Sequence, residues 1–370
     1  MYNSGSTNSK QRARIGNASW GVKFRAYSMR CHYIDRALAR EYNDILLLTS
    51  AGNEGKKKLG NSYKTIGDPA SCKNILAVGM TESADERLSS PELKGPDYLA
   101  HQSSRGPTMD GRMKPDLVAP GYTILTAKPK DTIKSSEQVY GTSFSVGVVS
   151  GSAAIVRQYF EEGYYNNEAI NPSGSLVKAI LMNGGQEITQ VQDAISKNML
   201  EHSSAYDSHQ GMGRVNLLSS LPLPEDPRKM NILNNVEMKG NSRRRLFIKA
   251  KTDGCESSEL SVTLAWYDVE GARGCTKCLL NDLDLWVERI TPSGEIVSGQ
   301  KYVPNGLKKG QKDSKNNVER VRFDMSQGHR YQIVIKSGNL MTETSKFSLV
   351  ATGCFINTKK PNKPKKRIRE

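Results

Sequence analysis

The apolar pattern changes period once, near residues 221–228 (LPLPEDPR), and that change calls for two units of different class. Ahead of it, 45–50 (ILLLTS) is a continuous apolar run, the kind buried on both faces of a parallel sheet. Residues 27–42 place Met29, Tyr33, Ile34, Ala37, Leu38 and Tyr42 at helical spacing. Further strand-like runs are expected at 15–21, 74–80 and 122–127. Helices are expected through 140–159, with Val148, Ala153, Ile155 and Phe160 buried, and near 175–182. Strands alternating with helices imply an α/β fold, an open parallel sheet with right-handed crossovers.

Beyond the proline-rich stretch the period falls to two. Short alternating runs at 246–250, 260–267, 283–290, 318–323, 331–335 and 347–351 are split by Gly, Pro and Asn turns. That pattern predicts an all-β sandwich or jelly roll. The expected organisation is a polar lead-in at 1–13, an α/β unit at 14–222, a β-sandwich at 231–354 and a basic disordered tail at 355–370.

A chain of 370 residues with net charge +15 is long enough for two cores, and part of its charge is concentrated. Seven Lys or Arg fall in 359–369, a solvated tail more than a nucleic-acid or anionic-surface element. No apolar run approaches the length of a membrane span. The first residues, MYNSGSTNSKQRAR, lack the apolar core of a secretory signal. Six cysteines are present: Cys31, Cys72, Cys255, Cys275, Cys278 and Cys354. The C-x-x-C at Cys275 and Cys278 has no second pair or His spacing to complete a zinc site. Disulfides in an oxidising compartment and buried free thiols both remain open at this point.

Three stretches carry candidate chemistry. Residues 50–55 (SAGNEG) follow the apolar strand directly, where ligands gather in α/β sheets. Asn53 there is either an uncharged donor for an oxyanion or a turn asparagine. Residues 103–121 (SSRGPTMDGRMKPDLVAPG) read as a long ordered loop with turns at each Gly-Pro, Asp-Gly and Pro-Gly pair. Residues 140–143 (YGTS) precede the long helix, so Ser143 is either an N-cap or a nucleophile beside the positive end of the helix dipole.

Taken together, SAGNEG, the SSRGP loop and GTS resemble the subtilisin-like serine peptidases. GMGRVN at 211–216, TLAWYD at 263–268 and NDLDLWV at 281–287 resemble the subgroup with a jelly-roll-like domain behind the catalytic one. The resemblance implies that Ser143 is the nucleophile and that Asn53 and the Ser143 backbone N–H are oxyanion-hole donors. It implies that Ser19, Trp20 and Gly21 pair with substrate backbone, with Ala51, Gly52 and Thr142 lining the cleft and Glu54 facing basic side chains. No cofactor is required by the resemblance. Calcium is a further expectation, through Asp268, Asp282 and Asp284.

The resemblance also implies an Asp and a His ahead of Ser19, yet the first 18 residues hold neither. His32, His101, His202, His209 and His329 all come later, in the wrong order for that role. The motif departs again after Ser143, where Phe144, Ser145, Val146 and Gly147 replace the family's Met-Ala-x-Pro. The expectation is a serine-type endopeptidase acting on protein or peptide substrates, inactive as an isolated chain because the N-terminal part of its catalytic domain is missing. The alternative is a non-catalytic peptide-binding pseudoprotease. Family resemblance and the cysteines favour a secretory or extracellular location.

Overall fold

The computed structural model describes residues 12–58, 63–83, 95–127, 136–191 and 206–361. The first unit is built on a parallel sheet of β1 (Ile15–Ala18), β2 (Leu46–Ser50), β3 (Leu76–Glu82) and β4 (Leu117–Tyr122), in that order. Ile15 pairs with Leu46, Leu48 with Leu76, and Val78 with Leu117. Every residue of β2 and β3 is buried, as their unbroken apolar runs require. Between β1 and β2 lies α1 (Met29–Arg36), extended by a π-helical turn over Ala37–Glu41. Ser28 caps α1 by accepting a hydrogen bond from Cys31 N at 3.0 Å.

Two expectations in this unit change. The run at 122–127 does not add a parallel strand: β5 (Ile124–Ala127) pairs antiparallel with β6 (Ser136–Val139) as a separate ribbon. The fourth parallel strand is instead β4, inside the stretch read as a loop. It tolerates Pro120 because β4 is an edge of this sheet, where a missing N–H costs no ladder bond.

Helix α2 (Thr142–Glu161) packs on β2, β3 and β4 through Val146, Val149, Ala153, Val156 and Phe160. Val148 and Ile155 were expected inside but are 45% and 48% exposed. They share an outward stripe with Gly147, Gly151 and Ala154, all exposed. Helix α3 (Gly174–Asn183) is buried along all ten residues. A helix buried all round needs a neighbour on every side, and its one charge, Lys178, is met by Asp116 at 3.3 Å. One side meets the parallel sheet and α2, and the other meets the β-domain, so Leu176, Ile180, Ala265, Val318 and Val350 share one core.

After the short α4 (Leu217–Ser220), the chain forms a two-sheet sandwich. One sheet has the order β12 (Val318–Asp324), β9 (Glu259–Trp266), β14 (Thr344–Gly353), β7 (Lys229–Lys239). The other runs β11 (Ile296–Tyr302), β10 (Leu283–Ile290), β13 (Arg330–Ser337), β8 (Arg243–Ala250), β15 (Phe355–Asn357). Leu264, Trp266, Leu285, Ile333, Phe347 and Leu349 fill the space between them. The architecture is thus a parallel-sheet α/β unit followed by an antiparallel β-sandwich.

Three of these strands have weak sequence signals. β7 carries an Asn pair that breaks alternation, with Asn235 at φ 52° opposite a register shift in β14 between Phe347 and Leu349. β11 is largely polar, and β15 occupies 355–357, where the tail was expected to begin. The remainder of the tail from 362, most of the lead-in, and His202 lie outside the described residues.

All six cysteines are paired, as Cys31–Cys72, Cys255–Cys354 and Cys275–Cys278, which closes the alternative of free thiols. No helix among the described residues is long and apolar enough to cross a membrane.

Candidate active site

Parallel strands end on the same side, so the segments leaving β1 and β2 emerge together beside the start of α2. Ser19–Gly21 leaves β1, Ser50–Gly55 leaves β2, and Ser143 is the second residue of α2. Helix α2 has Gly141 at its N-cap position, without a side-chain cap of its own. Asn53 supplies the missing acceptor: its Oδ1 takes hydrogen bonds from Thr142 N and Thr142 Oγ1, each at 3.0 Å. Ser143 is therefore not the N-cap, which removes one of its two readings. Anchoring Asn53 through its oxygen turns its amide nitrogen toward the helix start, 3.6 Å from where a Cβ on Gly141 would sit. Thr142 Oγ1 also accepts from Gly52 N at 3.2 Å, so one hydroxyl fixes both backbone and side chain of SAGNEG.

The SSRGP loop supports this arrangement from behind. Ser104 N donates to Gly52 O at 2.9 Å, and Ser104 Oγ accepts from Glu54 N at 3.0 Å. Ser103 Oγ accepts from Met80 N on β3 at 2.9 Å. Gly52 sits at φ +111°, and a Cβ there would lie 2.8 Å from Ser104 Oγ, so both backbone angle and space demand glycine. Farther along, Gly121 lies beneath the helix start, where a Cβ would meet Ser145 Oγ at 2.1 Å.

Ser143 is half-buried and its Oγ donates to Ser19 O at 3.0 Å, while Ser19 Oγ lies 3.3 Å from Ser143 O and 2.9 Å from Asn17 Oδ1. The histidines among the described residues are engaged elsewhere. His32 Nδ1 contacts Gly271 O at 2.9 Å, His101 Nε2 contacts Tyr98 Oη at 3.0 Å, and His329 Nε2 contacts Arg289 at 3.1 Å. His209 packs against Tyr63, with Arg105 alongside. No imidazole of the described residues is hydrogen-bonded to Ser143.

Glu54 does not stand as a free carboxylate. Lys57, one helical turn's spacing away, and Lys23, at 3.4 Å, both pair with it, and their contact holds its carboxyl below the usual range. The i,i+3 spacing of Glu54 and Lys57 was visible in the sequence, but nothing there pointed to Lys23. Trp20 is 46% exposed and carries the Arg30 guanidinium 5.0 Å from its ring centre. Arg30 in turn reaches Asp68 at 2.7 Å, and Asp68 exchanges backbone hydrogen bonds with Val22. Ala51 is buried in a small cluster with Ile66, Ala70 and Ala77. Arg30 and Asp68 are thus charged neighbours of Trp20 that were not expected from sequence.

The three carboxylates expected to hold calcium are not assembled as a ligand set. Asp268 is buried and bound by Lys73 Nζ at 2.6 Å and by Leu280 N and Asn281 N. Asp284 pairs with Lys312 at 2.6 Å. Asp282 has one carboxylate oxygen buried without a partner, and burial followed by the nearby Asp284 pushes its pKa to about 6.

The family model described as "Subtilase family" matches residues 1–213. Serine protease/ABC transporter B family protein tagA of Dictyostelium discoideum is 28% identical over 283 residues, 67% of this chain but 15% of that protein. Serine protease AprX of Bacillus subtilis is 30% identical over 151 residues, 38% of this chain and 30% of AprX. The crystal structure of tripeptidyl peptidase 2 aligns over 93% of this chain and 35% of its own, at 12% identity and a TM-score of 0.36. The chain thus spans only a small part of the length of these relatives. With more than half of its residues matched by the family model, the chain belongs to the subtilase family.

Proposed function

We propose that this chain carries the nucleophile and oxyanion hole of a serine endopeptidase, with the general base and its orienting carboxylate supplied by polypeptide outside these residues. The observation that carries the reading is the shared anchoring of Asn53, Thr142 and Ser143. Asn53 is held by its oxygen, so its N–H donors are directed to the same helix start that presents the Ser143 hydroxyl and backbone N–H. In the proposed reaction Ser143 Oγ attacks the peptide carbonyl while the external base takes its proton, and the two donors hold the oxyanion. Ser19–Gly21 offers extended backbone for substrate pairing.

The outward face of the unit supports completion by another segment. β1 is an edge of the parallel sheet, and beside it the stripe Gly147, Val148, Gly151, Ala154 and Ile155 is exposed. A further strand on β1 and a covering helix would bury both features. With Glu54 paired to two lysines, we infer no preference for basic side chains at the cleft. The disulfides fit a secreted or extracellular setting.

One observation favours the second reading, a peptide-binding pseudoprotease: the Ser143 hydroxyl is bonded to a backbone carbonyl instead of a base. A fluorophosphonate probe on the natural full-length product separates the two. Labelling at Ser143, lost in Ser143→Ala, is the expected result. Peptide binding without labelling or turnover, unchanged by Ser143→Ala, would replace the enzyme reading with the binding one.

A further inference from the structure

The face of the sandwich turned away from the catalytic unit carries an arrangement that peptidase chemistry does not use. On β10, β13 and β8 the core-facing residues are Leu283, Leu285, Val287, Tyr331, Ile333, Ile335 and Ile248. Residues of the opposite parity therefore point outward. Reading the register across, Lys336 lies opposite Arg243, Val334 opposite Arg245, and Arg330 opposite Lys249, with Lys301 on β11 opposite Glu288. These six cations share one face. Against them stand two carboxylates: Asp284, paired with a further cation, Lys312, at 2.6 Å, and Glu288, which accepts from the neutral Gln332 at 2.6 Å and keeps its charge, so the face remains strongly cationic.

Trp286 stands at the centre of the same face and is only 9% exposed. Two of the cations cover it: the Arg243 guanidinium lies 5.4 Å, and the Lys301 ammonium 4.4 Å, from its ring centre. The indole thus holds two otherwise flexible cationic side chains over the sheet, which reduces the ordering cost of binding an anion there. Lys359 and Lys360 follow β15 at the rim of this face and are exposed, and Pro361 reaches the β10–β11 turn beside Gly294.

We propose that this face binds a linear sulfated polysaccharide. Neighbouring strands are about 4.8 Å apart and alternate residues along one strand about 6.7 Å. Arg243, Arg245, Lys336 and Lys301 are therefore rooted on a regular lattice, with Arg243 and Lys301 held in place by Trp286, an array suited to anions repeated along a polymer. Beside the roofed Trp286 the face carries one further ring, the half-buried Phe247 opposite Gln332, where base stacking along a strand uses several. The exposed isoleucines Ile296 and Ile356 sit on the two opposite edge strands, too far apart to form one apolar patch for entering a bilayer. Paired cysteines fit surroundings where sulfated glycans are the abundant polyanion.

The test uses the complete chain and heparin as probe. Arg243→Gln/Arg245→Gln/Lys301→Gln should weaken heparin binding by about tenfold or more at moderate salt and flatten its salt dependence. The control Lys308→Gln/Lys309→Gln/Lys315→Gln removes the same charge from exposed sites off the face and should change affinity less than about threefold. Circular dichroism and melting temperature establish that both variants fold. Equal weakening by the two triple variants overturns the proposal, as does loss of binding on deleting 361–370 alone with the face variant unaffected. Preference for single-stranded DNA or phosphatidylserine vesicles over heparin, lost in the face variant, would assign the surface to that polyanion and overturn the glycan.

Discussion

Lys73 lies in the segment entering β3 and is fully buried, yet its ammonium reaches across to the β-domain. It donates to Asp268 Oδ2 at 2.6 Å, to Cys278 O at 2.8 Å and to Val269 O. Replacing it with methionine keeps the volume of the stem and removes the charge. Asp268 would retain its two backbone donors, Leu280 N at 2.8 Å and Asn281 N at 2.9 Å, but no cation. Breaking one side of a buried pair costs about 3–5 kcal/mol, and the retained N–H bonds place Lys73→Met near the lower end. The double variant Lys73→Met/Asp268→Asn should recover about 1–2 kcal/mol relative to the summed single costs. Urea denaturation of the four proteins gives the coupling directly. The pH dependence carries a sign as well. Burial already holds the Asp268 carboxyl above its ordinary value, despite Lys73. The folded state therefore keeps a proton that the unfolded chain has released, and stability declines as pH rises from the ordinary carboxylate value through the raised one. Without Lys73 the carboxyl rises further and the window widens upward. A cost below about 1 kcal/mol for Lys73→Met, or strict additivity with Asp268→Asn, would refute the pairing as a seam between the units.

Other consequences follow from particular contacts. Gly121→Ala places a methyl against Ser145 Oγ, displacing it from Ala119 O, and should cost about 2–4 kcal/mol of overpacking and lost hydrogen bonding by thermal melts. Asp282→Asn should raise stability at neutral pH by about 1 kcal/mol, discounted for partial exposure, because the folded carboxyl titrates near pH 6. The wild type should lose that increment as pH rises from about 4 to about 6, and the variant should not. Thr142→Val removes the hydroxyl that holds Asn53 Oδ1 and Gly52 N. In the full-length product it should slow fluorophosphonate labelling of Ser143 by about tenfold, with a smaller effect on melting temperature.

Much of the fold was legible because it rests on local pattern. The apolar run ending at Ser50 could only be an interior strand, and the switch to alternation after 228 could only be a second, antiparallel unit. The apposition of Asn53 and Ser143 was legible in another way, through three motifs whose order implied a known site. What remained hidden depends on partners distant in sequence. Helical period alone marks Val148 and Ile155 as apolar, but whether they are covered depends on which neighbours α2 has. Strand β4 was masked by Pro120, which only an edge position permits. The pairing of six cysteines requires backbone proximity that spacing does not encode. Asp268 reads as a free ligand until Lys73, 195 positions earlier, is folded onto it, and Glu54 reads as a charged wall until Lys23 arrives. The sequence by itself determined the two-unit architecture and the residues that meet at the start of α2. Tertiary structure alone decided which charges stay free, because a charge is neutralised by whatever the fold brings within a few ångströms of it.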